Sequence, residues 1–311
     1  METEKKVQRS KIEFYVSRSF GAKVDASFKF IKENWKVLLK FTAYLMLPIC
    51  LIQAWCLNGL IGNLLGIRAL KNIDDMAVVQ GFGISLILRY VLFMLVIIVG
   101  SLLLVSMIFA LIKTYNERDE RLVGLRLKDI KILLFHNLKR MVILMIFSII
   151  LVALATIILV LLMKLSLFTL ILTLPVFVAF SLPLVMLVPI YLMEDISIFA
   201  AFKRTYKLGF ATWGGLFLML LLMSIVANVL QGVATTPWYV ATAVKYFFMI
   251  SDTGSSTSVS MGYNLFLYFL GLIQAFCTYL SMFFVYIGLA YQYSHASMLV
   301  NNKKEEVPNR L

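Results

Sequence analysis

Six polar side chains lie at helical spacing inside two strongly apolar segments, and they are the best candidates for chemistry within a membrane. They are Ser224, Asn228, Gln231, Gln274, Thr278 and Ser281. Positions i, i+4 and i+7 share one face of a helix, so each segment carries a polar stripe. Polar groups in a span face the bundle interior or a water-filled cavity. The stripes indicate either hydrogen bonds between packed helices or a polar path or headgroup slot.

Residue types for catalysis are sparse elsewhere in the sequence. The chain has no HExxH, GxSxG, Walker or GxGxxG pattern. Its three cysteines lie in apolar segments without a CxxC pair, which is typical of small core residues. We therefore expect a protein that is not an enzyme, with no cofactor and no metal site.

The amino-acid composition indicates which secondary-structure elements carry the polar stripes. Of 311 residues, 61% are hydrophobic and 14% are charged, whereas soluble domains are roughly a quarter charged. Roughly 20 apolar residues cross a bilayer as a helix. The sequence predicts an all-α integral membrane protein with six transmembrane helices, at 37–57, 84–112, 141–163, 166–193, 213–232 and 263–290. Pro175, Pro183 and Pro189 should kink the fourth span and free backbone carbonyls.

Basic residues are distributed unevenly about these spans. Twenty-four of the 29 Lys and Arg residues fall on the side of both termini and five fall on the other. The positive-inside rule then places both termini in the cytoplasm. The net charge of +13 is explained by this topology, so we expect no nucleic-acid partner. The charged first 36 residues do not resemble a cleaved signal peptide.

One segment, 235–250, is apolar enough to suggest a seventh span. Sixteen residues that include Lys245 are short for a span, and Pro237 suits the first turn of a new helix capped by Thr235 or Thr236. We expect a helix on the outer surface or a partly re-entrant one. A seventh span would instead place the C-terminus outside.

Amphipathic helices that lie in the membrane interface are predicted before spans one, three and five. In each, an apolar face borders lysines that can reach lipid phosphate. The apolar faces comprise Val24, Phe28, Ile31, Trp35, Leu38 and Leu39, then Val123, Leu127, Ile130, Leu134 and Leu138, then Ile198, Phe199, Phe202 and Tyr206. The residues expected to contact lipid are Phe28, Lys29, Lys32, Trp35, Lys36, Lys128, Lys131, Lys139, Phe202, Lys203, Lys207 and Trp213. Glu194 and Asp195 should begin the third helix, and Gly209 should end it.

The three segments give the chain a possible threefold pseudo-repeat of an interfacial helix followed by a transmembrane hairpin. Similar junctions support it: Asn34-Trp35-Lys36, Asn137-Leu138-Lys139 and Thr212-Trp213-Gly214. We expect residues 1–311 to form a single membrane domain, with a cytoplasmic arm at 1–36, the bundle at 37–291 and a cytoplasmic tail at 292–311.

The stretches "AAFKRTYKLGFATWGGLF" and "ASFKFIKENWKVLLKF", with the six-helix layout, resemble a loose group of bacterial membrane proteins. The group includes the membrane domain found ahead of some glycerophosphodiester phosphodiesterases and related stand-alone inner-membrane proteins. The resemblance covers most of the chain and includes no catalytic residue. Because no hydrophilic catalytic domain is expected after the sixth span, it does not imply phosphodiesterase activity.

Two functions are compatible with these patterns. The first is a non-enzymatic inner-membrane protein that organises or senses membrane lipids or assists an envelope protein partner. The second is a transporter or channel for a small or amphiphilic solute, which the polar stripes and the kinked span favour. A buried Asp or Glu for ion coupling would strengthen the second function, and no predicted span contains one.

Overall fold

The computed structural model describes residues 11–69, 76–251 and 260–306, and helices make up most of these ranges. The helices are α1 (Phe20–Ala69), α2 (Met76–Glu117), α3 (Leu127–Leu165), α4 (Leu167–Ser181), a 3-10 helix (Leu182–Met186), α5 (Leu187–Met193), α6 (Ile198–Ala211), α7 (Trp213–Ser251) and α8 (Met261–Glu306). No strand occurs within the described ranges. The all-α prediction is confirmed.

Within the described ranges, six helical stretches are long and apolar enough to cross a membrane, at 20–62, 83–117, 127–164, 171–193, 213–248 and 261–302. Each contains most or all of one predicted span, so the six-span prediction is confirmed. The helices are longer than expected: α1 has 50 residues, and at about 1.5 Å per residue it far exceeds the roughly 30 Å of a hydrocarbon core.

Backbone contacts group the chain into two compact units. Unit 1 comprises Met1–Val37, Ser106–Met223 and Phe284–Leu311, and unit 2 comprises Leu38–Val105 and Ser224–Phe283. All the predicted lipid contacts belong to unit 1, and both polar stripes belong to unit 2. The expectation of a single membrane domain stays a prediction.

The core of unit 1 is aromatic. The rings of Phe30 and Tyr115 lie 5.0 Å apart, and the ring of Tyr291 lies 5.5 Å from that of Phe14. The segment before α1 is hydrogen-bonded to this cluster, since the Ile12 N–H donates to the Tyr115 hydroxyl at 3.1 Å. Lys11 donates to the carbonyl of Asn116 at 2.7 Å, near the end of α2. These contacts hold in place a segment for which the sequence predicts no secondary structure.

The core of unit 2 combines small residues with one buried tyrosine. A Cβ on Gly100 would lie 2.1 Å from the hydroxyl of Tyr279, so only glycine fits beside this ring. The Tyr279 hydroxyl donates to Gln53 Oε1 at 3.0 Å. Cys50 and Cys56 are free and buried in the same unit, which confirms their interpretation as small core residues, whereas Cys277 is only half-buried.

The three amphipathic segments are helical, as predicted, but they join their spans differently. The first continues without a break into the span within α1, and the second does so within α3 from Leu127 onward. Only the third forms a helix of its own, α6, because Thr212 adopts φ −130° and ψ 28° before α7 begins. The sequence pattern predicts a similar junction in all three units of the pseudo-repeat. In the structure, only the third unit has a break between its amphipathic helix and its span.

Of the three prolines predicted to kink the fourth span, Pro183 lies at an interruption of the α-helix, whereas Pro175 lies inside α4 and Pro189 inside α5. α4 ends at Ser181, Pro183 lies in the first turn of the 3-10 helix, and α5 follows. Pro183 has no N–H, so the carbonyl of Ala179 four residues earlier loses its helical donor. The indole N–H of Trp213 donates to that carbonyl at 3.1 Å. The kink thus provides an anchor for the start of α7.

Two predictions about α6 are wrong. Glu194 and Asp195 do not begin the helix: Glu194 caps the end of α5, Asp195 has φ 50°, and Ser197 is the N-cap of α6. Gly209 does not end it, because α6 continues to Ala211. Gly209 instead allows Pro183 to pack closely against α6, because a Cβ at position 209 would lie only 2.6 Å from the Pro183 Cβ.

The segment 235–250 is not a separate helix. It continues the fifth span within α7, and Pro237 lies inside that helix and not at the start of a new one. The hydroxyls of Thr235 and Thr236 donate to Gln231 and Gly232 one turn earlier, at 2.7 and 2.8 Å, and do not cap a new helix. The expectation of an independent surface or re-entrant helix is wrong, and so is a seventh span.

Candidate lipid-facing surface and intramembrane polar groups

α6 carries a row of aromatic side chains along one side. The Phe202 and Tyr206 ring centroids are 5.2 Å apart, and Tyr206 stacks on Phe210 at 5.7 Å. Phe147 of α3 extends the row, at 5.9 Å from Phe199 and 5.6 Å from Phe202. The opposite side of α6 is buried in unit 1 through Ala201, Thr205, Leu208 and Gly209.

Lysines border this aromatic row. Lys203 and Lys207 are exposed, and Phe199, at 69% exposed, leaves most of its ring uncovered. Trp213 lies at the end of the row with its ring stacked 5.8 Å from Phe217. Exposed aromatic rings beside lysines match the composition of a helix that lies at a membrane surface.

The first segment has the same character. Lys29, Lys32 and Lys36 are exposed, and so are Phe28 and Trp35, the latter 51% exposed. Phe28 has one aromatic neighbour, Phe284, at 5.7 Å. The side of α1 that packs into unit 1 is a different one, formed by Lys23, Ala26, Ser27, Phe30 and Asn34. Two residues of the predicted apolar face, Phe28 and Trp35, are therefore exposed, whereas Leu38 is buried and the other three are half-buried.

The second segment exposes only part of its predicted apolar face. Val123 and Leu127 are exposed as predicted, whereas Ile130 and Leu134 are buried in the protein. Ile132 and Phe135, which were not predicted, are exposed instead. Lys128, Lys131 and Lys139 are exposed as expected.

The candidates for contact with lipid are the exposed aromatic, aliphatic and lysine side chains of 28–36, 128–139 and 199–213. We call them the lipid-facing surface.

A cluster of charges holds α6 in place. Arg204 Nε lies 2.7 Å from Glu194 Oε1, and the Tyr293 hydroxyl donates to the same oxygen at 2.8 Å. Arg140 donates from Nη2 to the carbonyl of Ile196 at 2.7 Å. Helices α3, α5, α6 and α8 thereby meet at the short link before α6.

Asp195 completes this charge cluster. Its carboxylate lies 2.9 Å from Lys113 Nζ and 2.9 Å from His136 Nε2. Partial burial by itself raises the pKa of Asp195, but hydrogen bonds from His136 and Lys113 and the charges of Lys113 and Arg140 outweigh it. The pKa of this carboxyl therefore lies below its ordinary value, and the charged form is favoured.

Sequence reasoning missed the cluster, although a signal was present. Glu194 and Asp195 are the only acidic residues between Asp129 and Asp252, and 12 Lys and Arg residues lie between 113 and 207. An isolated acidic pair on the basic side of a membrane is a natural partner for several of them.

The polar stripes of unit 2 form hydrogen bonds mainly within their own helices. Asn228 donates to the carbonyl of Ser224 at 2.8 Å, and Thr278 donates to that of Gln274 at 2.9 Å. Ser281 is buried and donates to Thr278 at 2.8 Å, whereas Asn228 is exposed. Gln231 is half-buried, and its carbonyl accepts the Thr235 bond described above.

Other polar residues of unit 2 link different helices and were not predicted. Trp238 Nε1 donates to Asn58 Oδ1 at 3.2 Å, and Asn58 Nδ2 donates to the carbonyl of Leu267 at 3.4 Å. A Cβ on Gly271 would lie 3.0 Å from Asn58 Nδ2, so this glycine admits the amide. Their wide separation in sequence hides such a network from pattern analysis.

The described residues contain no group of three His, Cys, Asp or Glu side chains that could hold a metal ion. Comparison with protein-family models, curated proteins and solved structures gives no match to this chain. The class therefore follows from the fold: six long apolar helices define a multi-pass membrane protein. The resemblance to phosphodiesterase-associated membrane domains stays a prediction.

Proposed function

We propose that this protein binds acidic lipids at the cytoplasmic face of a bacterial inner membrane and is not an enzyme. It organises or senses those lipids, or assists an envelope protein partner. The observation that carries the proposal is the aromatic row of α6, bordered by exposed Lys203 and Lys207. The exposed Phe28 and Trp35 beside the lysines of α1 add to it.

The chemistry of the lipid-facing surface favours acidic headgroups. Each Lys near an acidic leaflet contributes about 1 kcal/mol of attraction, and aromatic rings are favoured at the headgroup level. Eight exposed lysines lie on the surface, at 29, 32, 36, 128, 131, 139, 203 and 207. Their summed attraction would select phosphatidylglycerol over a zwitterionic lipid.

The charge asymmetry supports the cytoplasmic orientation. A reporter enzyme that is active only outside the cytoplasm, fused after residue 311, should stay silent. A reporter in the link between the fifth and sixth spans should be active. An active C-terminal fusion would overturn the proposed orientation.

Lipid selectivity is the direct test of the function. The full chain is reconstituted in bilayers, and electron paramagnetic resonance compares the association of spin-labelled phosphatidylglycerol and phosphatidylcholine. The double variant Lys203→Gln/Lys207→Gln should lower the selectivity for phosphatidylglycerol because it removes two surface charges. Lys164→Gln removes an exposed lysine at the far end of α3 and should leave it unchanged. Equal selectivity for both lipids in the parent would overturn the proposal.

A transporter or channel is the second candidate. Its supporting observation is Gln274 Oε1, which is buried in unit 2 without a hydrogen-bond partner. Such an acceptor suits a transient polar ligand. The test replaces Asn228, Gln231 and Gln274 with leucine and measures folded yield and the flux of solutes or lipids in vesicles. Retained folding with lost flux would favour transport, whereas no flux in the parent would exclude it.

A further inference from the structure

Lys23 is a buried cation that has no carboxylate partner within the part of the chain that the structure describes. It is only 3% exposed, near the start of α1. Its Nζ lies 2.6 Å from Gln292 Oε1 of α8, and no Asp or Glu among residues 11–69, 76–251 and 260–306 lies within ion-pair distance. A buried charge is costly unless an opposite charge or several hydrogen bonds compensate it. Part of the compensation is therefore missing.

The side-chain amide of Gln292 is also a buried donor that lacks an acceptor. The residue is 0% exposed, and its Nε2 has no hydrogen-bond partner. Because its Oε1 accepts from Lys23, Nε2 is the donor end of the amide. Two buried donors, one charged and one neutral, thus lie side by side, and each needs an acceptor.

Both donors lie against the first turn of α7. A Cβ on Gly215 would be 3.4 Å from Lys23 Nζ and 3.5 Å from Gln292 Nε2. The Leu216 N–H donates to the carbonyl of Thr212 at 2.8 Å, which marks the first bond of the helix. The N–H groups before it lack a partner within α7, and a helix start attracts anions. Gly214 is exposed, and a Cβ there would meet nothing within 4 Å.

We propose that Lys23, Gln292 and the first turn of α7 bind a phosphate group. An ammonium, an amide and helix N–H groups are all donors, and a phosphate group has enough acceptor oxygens to engage them together. Trp213 and the lipid-facing surface adjoin this turn in sequence. The phosphate therefore comes from a lipid headgroup or from free phosphate, and only the lipid source rests on the proposed function.

The test uses the delipidated full chain in a maltoside detergent, which contains no phosphate. Tryptophan fluorescence follows the Tm during titration with sodium phosphate, or with dihexanoylphosphatidylglycerol. Sodium chloride at matched ionic strength and dihexanoylglycerol are the controls. A saturable Tm increase of about 2–4 °C is expected for at least one phosphate compound.

Two variants and a matched control assign the response to the site. Lys23→Met keeps the length of the side chain and removes the charge, so it should lose the response while remaining at least as stable without ligand. Gln292→Leu removes the free donor and provides a second variant if the first does not fold. Lys40→Met alters an exposed lysine of the same helix that lies outside the lipid-facing surface, and it should respond like the parent.

The outcomes separate the two sources and the two proposals. A response to the lipid alone assigns a headgroup site, and a response to both, or to sodium phosphate alone, assigns a site open to free phosphate. If neither compound gives a saturable increase, or if Lys23→Met responds like the parent, the site is overturned. The Lys203→Gln/Lys207→Gln variant tests the lipid-facing surface by spin-label selectivity, and Lys23→Met tests this site by the Tm response. Failure of the one can therefore be distinguished from failure of the other.

Discussion

The indole of Trp213 donates to the one carbonyl that Pro183 leaves without a helical partner, that of Ala179, at 3.1 Å. Proline cannot donate to the carbonyl four residues before it, so the break in the fourth span and the position of the fifth are chemically linked. The start of α7, where we place the phosphate site, therefore depends on the kink.

Trp213→Phe keeps an aromatic ring and removes the N–H. We expect it to lower the free energy of unfolding in mixed micelles by about 1 kcal/mol, because the carbonyl of Ala179 stays unpaired. In a Pro183→Ala background, residue 183 regains an N–H, so the same change should cost less. Additive costs in this double-mutant cycle would contradict the link.

Arg140 supports α6 through geometry as well as charge. Its Nε donates to the carbonyl of Tyr191 at 2.9 Å, and its guanidinium carbon lies 3.9 Å from the centre of the Tyr191 ring. Arg140→Lys keeps the charge and loses the planar fork, so we expect a loss of about 2 kcal/mol in the free energy of unfolding. Lys139→Arg, the reverse exchange at the exposed neighbour, should leave it unchanged. Equal stability of Arg140→Lys and the parent would show that charge alone suffices.

Asp195 gives a pH dependence with a defined sign. Its pKa lies below the ordinary value because partial burial, which raises it, is outweighed by His136, Lys113 and Arg140. Its stabilising effect is therefore complete above the unfolded carboxyl value of about 3.9 and is lost as the pH falls through the folded pKa.

Asp195→Asn is the variant to compare with the parent, because asparagine tolerates the left-handed backbone conformation at this position. Thermal unfolding across the acid range should show the parent more stable than the variant near neutral pH. The difference should shrink as the pH falls from the unfolded carboxyl value through the folded pKa. A constant difference down to strongly acid pH would rule out the carboxylate as its source.

The Tyr279–Gln53 pair tests the core of unit 2. Both residues are buried, so Tyr279→Phe leaves the Gln53 amide without its donor and should cost about 1 kcal/mol in the free energy of unfolding. Gln53→Leu combined with Tyr279→Phe removes both partners and should recover part of that loss. If the double variant loses more free energy of unfolding than the two single variants lose together, the Gln53 amide has another role.

Several features of the fold could be predicted because they are local. The six spans were found since hydrocarbon thickness sets the length of an apolar segment, and the break at Pro183 was found since proline removes one N–H. The predicted separation of the interfacial helices failed for α1 and α3. No proline or glycine interrupts either junction, and a helix continues where its backbone bonds can continue.

The sequence by itself determined the class of protein, the number of spans and the lysines that stay exposed. Tertiary structure decided which apolar residues those lysines accompany: at the second segment, packing took Ile130 and Leu134 into the core and left Ile132 and Phe135 outside. It also decided that Lys23 meets Gln292, 269 residues away. Periodicity describes a helix face, but only packing between distant helices settles which face is covered and which buried donor is left without an acceptor.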